Sequence, residues 1–202
     1  MPALEELNSQ MLKCQKCSLS QTRTKVVPGE GNSAAEIMFI GEGPGKNEDK
    51  QGRPFVGAAG KLLDKMLALI HQGREDVFIA NVVKCRPPGN RDPLPEEVNA
   101  CRDWLARQTE IIKPKLIVLL GRHSMDRFLP NQKISQIHGQ PKRRGGQIYF
   151  PVYHPAAALY RGNLLEDLQK DFLKIPKVLE KVKEGEIKKE EKKDLKQAKL
   201  EL

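Results

Sequence analysis

Residues 36–45 read EIMFIGEGPG, a short apolar run that stops at a turn containing three glycines. Three more short apolar runs follow, at residues 77–83 (VFIANVV), 116–120 (LIVLL) and 148–152 (IYFPV). Segments with apolar residues at helical spacing come between or after them, at residues 57–70, 95–112, 122–129 and 164–173. Strands that alternate with helices require crossover connections, so this pattern predicts an α/β fold with a mostly parallel sheet.

The ends of the predicted strands carry glycines and polar side chains. They read GEGPG at 41–45, Asn81 late in its strand, GRH at 121–123 and YHP at 153–155. Ligands of open α/β sheets bind outside the carboxyl ends of the strands. The sequence therefore predicts a ligand site at this edge of the sheet.

The chain has 202 residues, of which 39% are hydrophobic, enough for one compact domain with a real core. From residue 177 onward the composition shifts to lysine and glutamate with few apolar residues. We therefore expect a domain over residues 1–176 and a charged tail over 177–202 that is helical or disordered.

The net charge is +9, and a basic balance attracts polyanions, nucleic acid first. The alternative is that the lysines only keep the surface soluble. No run approaches the roughly 20 apolar residues of a membrane helix, and the N-terminus does not read as a secretory signal. We expect a monomeric, cytoplasmic, nucleoid-associated protein with no membrane partner.

Four cysteines stand in two pairs, Cys14 and Cys17 in a CxxC and Cys85 and Cys101 further along. In a reducing compartment we do not expect disulfides. Four thiolates can hold zinc or an iron–sulfur cluster, and the spacing does not separate the two metals. The alternative is a redox CxxC with two incidental core thiols; four cysteines with none left over favour a joint metal site.

Three side chains near the predicted edge suit a planar, polar ligand. Phe55 lies in a loop (GRPFVGAAG), where its ring could stack on a base or simply pack. Asn81 offers a donor and an acceptor side by side, which matches the edge of a pyrimidine, although a structural amide bonded to backbone is the alternative. His154 could donate to a charge that develops in a transition state, or it could be a structural histidine.

Basic residues are predicted in loops, where they suit phosphate contacts or are merely solvated. They are Arg86, Arg91, Lys142, Arg143 and Arg144.

Together, these motifs closely resemble the family-four, iron–sulfur branch of the uracil-DNA glycosylase superfamily. The resemblance is carried by CQKC (14–17), GEGPGKNED (41–49), GRPFVGAAGKLL (52–63), NVVKCRPPGNRDP (81–93), EEVNACRDWL (96–105) and YHPAAAL (153–159). It implies a three-layer α/β/α fold with a central four-stranded parallel sheet. It also implies a structural 4Fe-4S cluster on Cys14, Cys17, Cys85 and Cys101.

The resemblance further implies a repair enzyme that flips uracil out of single- or double-stranded DNA and hydrolyses its N-glycosidic bond. Residue by residue, it implies that Gly41, Glu42 and Gly43 line the uracil pocket, Phe55 stacks on the base, Asn81 reads its polar edge and His154 contacts its carbonyl. Glu48 matches an acid of the motif whose role is less defined.

The sequence also departs from better-known uracil glycosylases. Gly43 stands where they have an aspartate that positions water, so Glu42 becomes the candidate for this role. Ala156 replaces a serine after the HP pair, and small residues follow it, which leaves Leu159 or Tyr160 as the wedge into the DNA stack. The region 85–93 lacks the histidine of a sister branch that traps the sugar covalently, so we expect no covalent adduct.

The competing hypothesis is a non-catalytic DNA-binding module held together by a metal. It accounts for the charge and the cysteines, but it gives no role to Phe55, Asn81 and His154.

Overall fold

The computed structural model describes residues 2–185 of the chain. Its strands are β1 (Glu30–Gly31), β2 (Ile37–Gly41), β3 (Phe78–Asn81), β4 (Leu116–Leu120), β5 (Lys142–Arg144) and β6 (Gln147–Val152). Its helices are α1 (Pro2–Leu12), α2 (Leu19–Thr22), α3 (Lys46–Gln51), α4 (Ala58–Leu69), α5 (Pro95–Ile112), α6 (Arg122–Phe128), α7 (Ile134–Ile137), α8 (Pro155–Tyr160), α9 (Gly162–Phe172) and α10 (Ile175–Glu184), with a 3-10 turn at Pro88–Asn90.

The strands form one mixed sheet in the order β1-β3-β2-β4-β6-β5. The four central strands are parallel, which confirms the predicted α/β fold and its four-stranded parallel core. A short antiparallel strand at each edge brings the total to six, and this corrects the predicted count. β1 has only two residues, too few to leave a pattern in the sequence.

β5 corrects the prediction that residues 142–144 lie in a loop. It pairs with β6 through a two-residue hairpin formed by Gly145 and Gly146, both with positive φ. Such tight hairpins need positive φ at both central residues, and glycine adopts it without strain. The basic run therefore lies on an edge strand.

Alternation along the strands sorts the core into two clusters, one on each face of the sheet. Met38 and Ile40 of β2 pack in the cluster with α1, α5 and α6, while Ile37 and Phe39 pack in the other cluster with α4, α9 and α10. Successive strand residues point to opposite faces, so a strand buried on both sides is apolar throughout. The resulting architecture has the three predicted layers.

The four helical segments predicted before the tail are present as α4, α5, α6 and α9, and α5 begins at Pro95 and ends at Ile112 as predicted. The sequence does not predict the helices α1, α2, α3, α7 and α8. The expected boundary at residue 177 falls inside α10, where Val178 is buried in the core. Residues 186–202 of the predicted tail lie outside the described residues. In the described part, no helix combines the length and the apolar character needed to cross a membrane.

The parallel register brings the carboxyl ends of β2, β3, β4 and β6 to one edge of the sheet. Gly41 and Asn81 are paired residues at the ends of β2 and β3. Gly121 follows β4, and its N–H donates to the carbonyl of Val152 at the end of β6, 2.8 Å away. The polar segments singled out in the sequence therefore share this edge.

Candidate functional site

A cavity of about 250 Å³ opens at the carboxyl edge of the sheet. It is lined by Glu42, Gly43, Pro44, Gly45, Glu48, Phe55, Ala59, Asn81, Pro87, Asn90, Arg91, Asp92, Pro93, His154 and Ala156. The predicted pocket residues Glu42, Gly43, Phe55, Asn81 and His154 are all in this lining. Gly41 does not line the cavity but lies directly beneath two of these side chains.

Gly41 is required by close packing rather than by its backbone angles. A Cβ at this position would clash with Asn81 Oδ1 and lie 2.6 Å from Phe55 Cζ. Real Cβ atoms do not approach other atoms so closely, so a larger residue would push the ring or the amide out of place. Close packing also favours glycine at position 43. A Cβ there would lie 2.8 Å from Val83 Cγ2, so a larger residue would displace the Val83 side chain.

Phe55 is buried and has a positive φ of 53°, a backbone conformation that non-glycine residues rarely adopt. Three contacts hold its loop in place. Glu48 Oε1 accepts hydrogen bonds from the N–H groups of Val56 (2.8 Å) and Gly57 (2.9 Å). The guanidinium of Arg74 donates to the carbonyl of Phe55. Glu48 thus positions the aromatic ring, which stacks on the ring of His154 at a centroid distance of 5.8 Å.

Asn81 is only 2% exposed, and its Oδ1 atom has no hydrogen-bond partner among the described residues. A buried polar atom left unpaired costs about 1–3 kcal/mol. Such an exception in a native fold calls for an explanation. Since Asn81 lines the cavity, a hydrogen-bond donor on a ligand would supply the missing partner.

His154 precedes α8 and accepts a hydrogen bond at Nδ1 from the N–H of Ala156 (3.0 Å). A ring nitrogen that accepts carries no proton, so the proton of the neutral ring lies on Nε2. Burial lowers the pKa of His154 to about 4, with a smaller effect from the charge of His123. At neutral pH, His154 is therefore a neutral donor with a defined tautomer.

Glu42 has two neighbours that the sequence analysis did not assign to the site. His123 Nδ1 lies 4.0 Å from Glu42 Oε1, and His123 Nε2 lies 3.2 Å from Asp92 Oδ2. Burial raises the pKa of Glu42; the charge of His123 opposes this and that of Asp92 adds to it. The signal for His123 was its place directly after β4, while nothing in the sequence pointed to Asp92.

The loop after β3 is fixed by a buried carboxylate. Glu97 is fully buried, and hydrogen bonds from Arg91, together with one from the backbone N–H of Leu94, lower the pKa of its carboxyl to about 2. Arg91 contributes two of these bonds, at 2.8 and 2.6 Å. Arg86 donates to Asn90 Oδ1 at 2.7 Å. Both predicted phosphate-binding arginines therefore have intramolecular partners in this structure.

The basic residues of β5 contact nearby acceptors. Lys142 Nζ donates to Gln140 Oε1 (3.1 Å), Arg143 to the carbonyl of Gly146 (3.3 Å) and Arg144 to the carbonyl of Phe128. The two bonds named for Arg143 and Arg144 go to backbone carbonyls.

The four cysteines line one small, mainly apolar cavity on the side of the sheet covered by α1 and α5. Three N–H groups point at three of the sulfurs. Trp104 Nε1 donates to Cys14 (3.2 Å), the backbone N–H of Lys84 donates to Cys101 (3.3 Å), and Arg23 Nη1 donates to Cys85 (3.3 Å). Donors around the sulfurs are typical of sites that bind metals through thiolates.

Charge also fits a metal–thiolate group here. Lys84 is fully buried, and its Nζ contacts only neutral acceptors, the carbonyl of Asn81 (2.9 Å) and Gln108 Oε1 (2.6 Å). Burial lowers the pKa of Lys84 to about 8 and raises that of Cys101 to about 11. Thiolates that bind a metal would supply the negative charge that this buried lysine otherwise lacks.

Comparison with known proteins agrees with this geometry. The family model described as the uracil DNA glycosylase superfamily matches residues 28–180, and the chain belongs to that superfamily. It is 51% identical to the type-4 uracil-DNA glycosylase of Sulfurisphaera tokodaii, over 87% of this chain and 84% of the relative. It is 50% identical to the enzyme of the same name from Archaeoglobus fulgidus (87% and 92% covered) and 46% identical to that of Thermotoga maritima (83% and 92%). These relatives are from the type-4 branch that the sequence motifs resemble.

The protonation of His154 can be tested directly. We expect the ring to stay neutral, with its proton on Nε2, from pH 8 down to about pH 5. The unfolded state takes up this proton near pH 6.5 and the folded state only near 4, so His154's contribution to folding stability falls as the pH falls through this window. NMR of ¹⁵N-histidine-labelled protein measures both the tautomer and the titration. His71, which is exposed, is the internal comparison. Titration of His154 near 6.5, or a proton on Nδ1, would contradict the assignment.

Proposed function

We propose that this protein is a uracil-DNA glycosylase that flips uracil out of DNA and hydrolyses the bond between base and sugar. The observation that carries the proposal is the unpaired Oδ1 of Asn81 in the wall of the cavity. Uracil presents an N–H between two carbonyls. The Asn81 amide complements this edge, with Oδ1 accepting from the ring N–H and the amide N–H₂ donating to a carbonyl. Cytosine lacks that ring N–H, so the same amide disfavours it.

The proposed chemistry relies on stabilising the departing base. As the N-glycosidic bond breaks, positive charge develops on the sugar and negative charge on the uracil carbonyls. The neutral His154 ring donates from Nε2, and its interaction with the carbonyl becomes stronger as the charge develops. A donor whose bond strengthens only in the transition state lowers the barrier rather than merely tightening substrate binding. The stacked pair of Phe55 and His154 aligns this donor with the surface on which the base lies.

Water must then reach the sugar carbon, and Glu42 is the proposed group that orients or deprotonates it. Glu42 lines the cavity, and burial raises its pKa, which makes its carboxylate a stronger base. His123 and Asp92 form a polar chain behind it. We also propose that Glu42 and the backbone of Gly43 form the wall that excludes the methyl group of thymine.

Two exposed side chains are candidates for the wedge that fills the gap left by the flipped nucleotide. Leu159 is 45% exposed and Tyr160 is 89% exposed, at the end of the helix that begins beside His154. Both follow the small residues Ala156, Ala157 and Ala158 on the same short helix, which leaves them as its only large exposed side chains among the described residues. Insertion of such a side chain between bases offsets part of the unstacking cost.

We propose that Cys14, Cys17, Cys85 and Cys101 hold a structural 4Fe-4S cluster. The resemblance to the iron–sulfur branch and the N–H donors at three of the four sulfurs support this proposal. When bound, the cluster would cross-link α5, the loop after β3 and the N-terminal segment.

The competing hypothesis of a non-catalytic DNA-binding module is tested by a single assay, the release of free uracil from uracil-containing DNA. The proposal requires free uracil and an intact abasic strand, since no lysine among residues 2–185 lines the cavity. Binding of uracil-containing DNA without release would favour the module.

Metal analysis tests the cofactor. Protein purified without air is expected to be brown and to contain about four iron and four sulfide per chain. Cys85→Ser is expected to lose iron and unfold more readily, because a structural metal site contributes directly to folding. Stoichiometric zinc without iron in the anaerobic wild-type protein would contradict the proposal.

Asn81→Asp tests recognition of the base. The carboxylate keeps an acceptor but loses the donor, so one uracil carbonyl faces a negative charge. We expect uracil release to fall by at least the cost of an unpaired polar group, about 1–3 kcal/mol or roughly 5–150-fold. Single-turnover rates with a circular-dichroism check of the fold measure this loss. Asn163→Asp, an exposed asparagine in α9, is the matched control. A well-folded Asn81→Asp variant with wild-type rates would remove Asn81 from recognition.

His154→Ala tests catalysis. Loss of one donor to a developing anion typically lowers the rate by about 10²–10³-fold. We expect this loss in single-turnover excision at saturating enzyme, with little change in affinity for uracil-containing DNA. His71→Ala provides the control for loss of an exposed histidine. If affinity fell and the saturated rate did not, His154 would be a binding residue.

A further inference from the structure

Three arginines from three different elements converge on one groove beside the described cavity. Arg102 lies on α5, Arg127 on α6 and Arg144 on β5, and all three line a groove of about 390 Å³. The apolar floor of this groove includes Val98, Leu105 and Tyr149. A groove of this shape brings three guanidinium groups over one apolar surface.

No ion pair joins these three arginines to an acidic residue in the part of the chain that the structure describes. Arg53, Arg74 and Arg91, by contrast, each form one there. Within residues 2–185, Arg102, Arg127 and Arg144 form none; Arg144 donates to the carbonyl of Phe128. Burial lowers the pKa of Arg127, and the charges of Arg102 and Arg144 lower it further. Asp126 lines the adjoining groove with Arg127 and Arg144, but no ion pair joins it to them within residues 2–185. An anion bound among the three arginines would relieve the part of their repulsion that solvent does not screen.

The groove continues towards the uracil cavity. Val82, Val98, Arg127 and Arg144 also line a second groove of about 550 Å³, whose other wall contains Glu42 and His123. Glu42 in turn lines the cavity in which we place the uracil. A DNA strand that leaves the cavity past Glu42 can therefore follow a continuous groove to the three arginines.

We propose that the groove formed by Arg102, Arg127 and Arg144 binds backbone phosphates of the DNA strand that flanks the flipped nucleotide. Guanidinium groups match phosphate oxygens in geometry and charge, and they bind them with paired hydrogen bonds. Phosphate contacts fix the register of a protein on DNA without reading sequence. The proposal rests on the glycosylase function, because it places the flipped base in the cavity beside Glu42. It assigns Arg102 and Arg127 a role that the sequence did not indicate, and it gives Arg144 a specific partner.

The double variant Arg102→Gln/Arg144→Gln tests this assignment. Both side chains are exposed, so the fold should survive, while Arg127 is left in place because it is half-buried. The matched control is Lys61→Gln/Lys65→Gln, which removes two exposed charges from α4 on the opposite face of the sheet. The two variants have the same net charge, so a difference between them reports position rather than total charge.

Binding of fluorescent, uracil-free DNA is measured by anisotropy over a series of salt concentrations, with single strands and duplexes in separate arms. For duplex DNA, the slope of log affinity against log salt should become less steep by about two units in the arginine variant, since each lost phosphate contact contributes about 0.9. The lysine variant should keep a slope close to wild type. Single-turnover uracil excision at saturating protein should be unchanged in the lysine variant, which shows that removing two exposed charges elsewhere does not disturb the fold or the cavity.

A second readout locates the contact. Uracil-free DNA is expected to protect Arg102 and Arg144 from modification by phenylglyoxal, as read by mass spectrometry of the wild-type protein. Arg107, on the same helix but placed over the ring of Trp104, should remain reactive. An arginine variant whose slope and affinity match those of the lysine variant, together with unprotected Arg102 and Arg144, would overturn the proposal. Uracil release would survive that result, whereas absence of release with normal DNA binding would overturn the glycosylase function instead.

Discussion

Even a single methyl group at position 41 would collide with the Asn81 amide and with the ring of Phe55. Gly41 lies at the end of β2, where the Asn81 amide from β3 and the loop that carries Phe55 come into contact with the sheet. Because Gly41 has no side chain, the amide and the ring can approach the same backbone atoms and form two walls of one cavity. The geometry of the proposed uracil site depends on this contact, since Gly41 pairs with Asn81 in the parallel register and so fixes their separation.

Buried and half-buried carboxylates hold the loops that complete the cavity. Glu48 accepts from two backbone N–H groups next to Phe55, Asp49 accepts from Thr24, and Glu97 holds Arg91 and Leu94. The N–H groups of a loop have no partners of the kind that a helix or sheet provides. A carboxylate that accepts hydrogen bonds from several of these N–H groups satisfies them and fixes the loop. The acids of the motif therefore need not act in the reaction; Glu48 is explained by the loop it holds, while Glu42 faces the cavity with no backbone donor in its described contacts.

The sequence predicts those parts of this protein that depend on short-range patterns. Short apolar runs that stop at glycine or polar residues give the four parallel strands, and the helix over residues 95–112 follows from its proline start and its spacing. The edge strands escape prediction because β1 is two residues long and β5 is stabilised by its partner rather than by its own basic sequence. His154 and Asn81 could be singled out because they interrupt or follow apolar strands. Asp92 and His123 could not be linked, since their proximity arises only when α6 and the loop after β3 pack together. Arg102 and Arg127 likewise share a groove only because α5 and α6 lie on the same face of the sheet.

Lys84 connects the two sites of the molecule. Its backbone N–H donates to Cys101, while its Nζ donates to the carbonyl of Asn81. Gln108, which accepts from the same Nζ, also donates to the carbonyl of Pro28, so the lysine is held between α5 and the segment before β1. Burial disfavours the charged form of Lys84, and a group bound at the cysteine site would supply negative charge that opposes this effect. Filling the cysteine site would therefore stabilise both the buried cation and the backbone of the residue that we propose reads the base. A cluster distant from the reacting atoms can in this way support recognition through one side chain, without taking part in the chemistry.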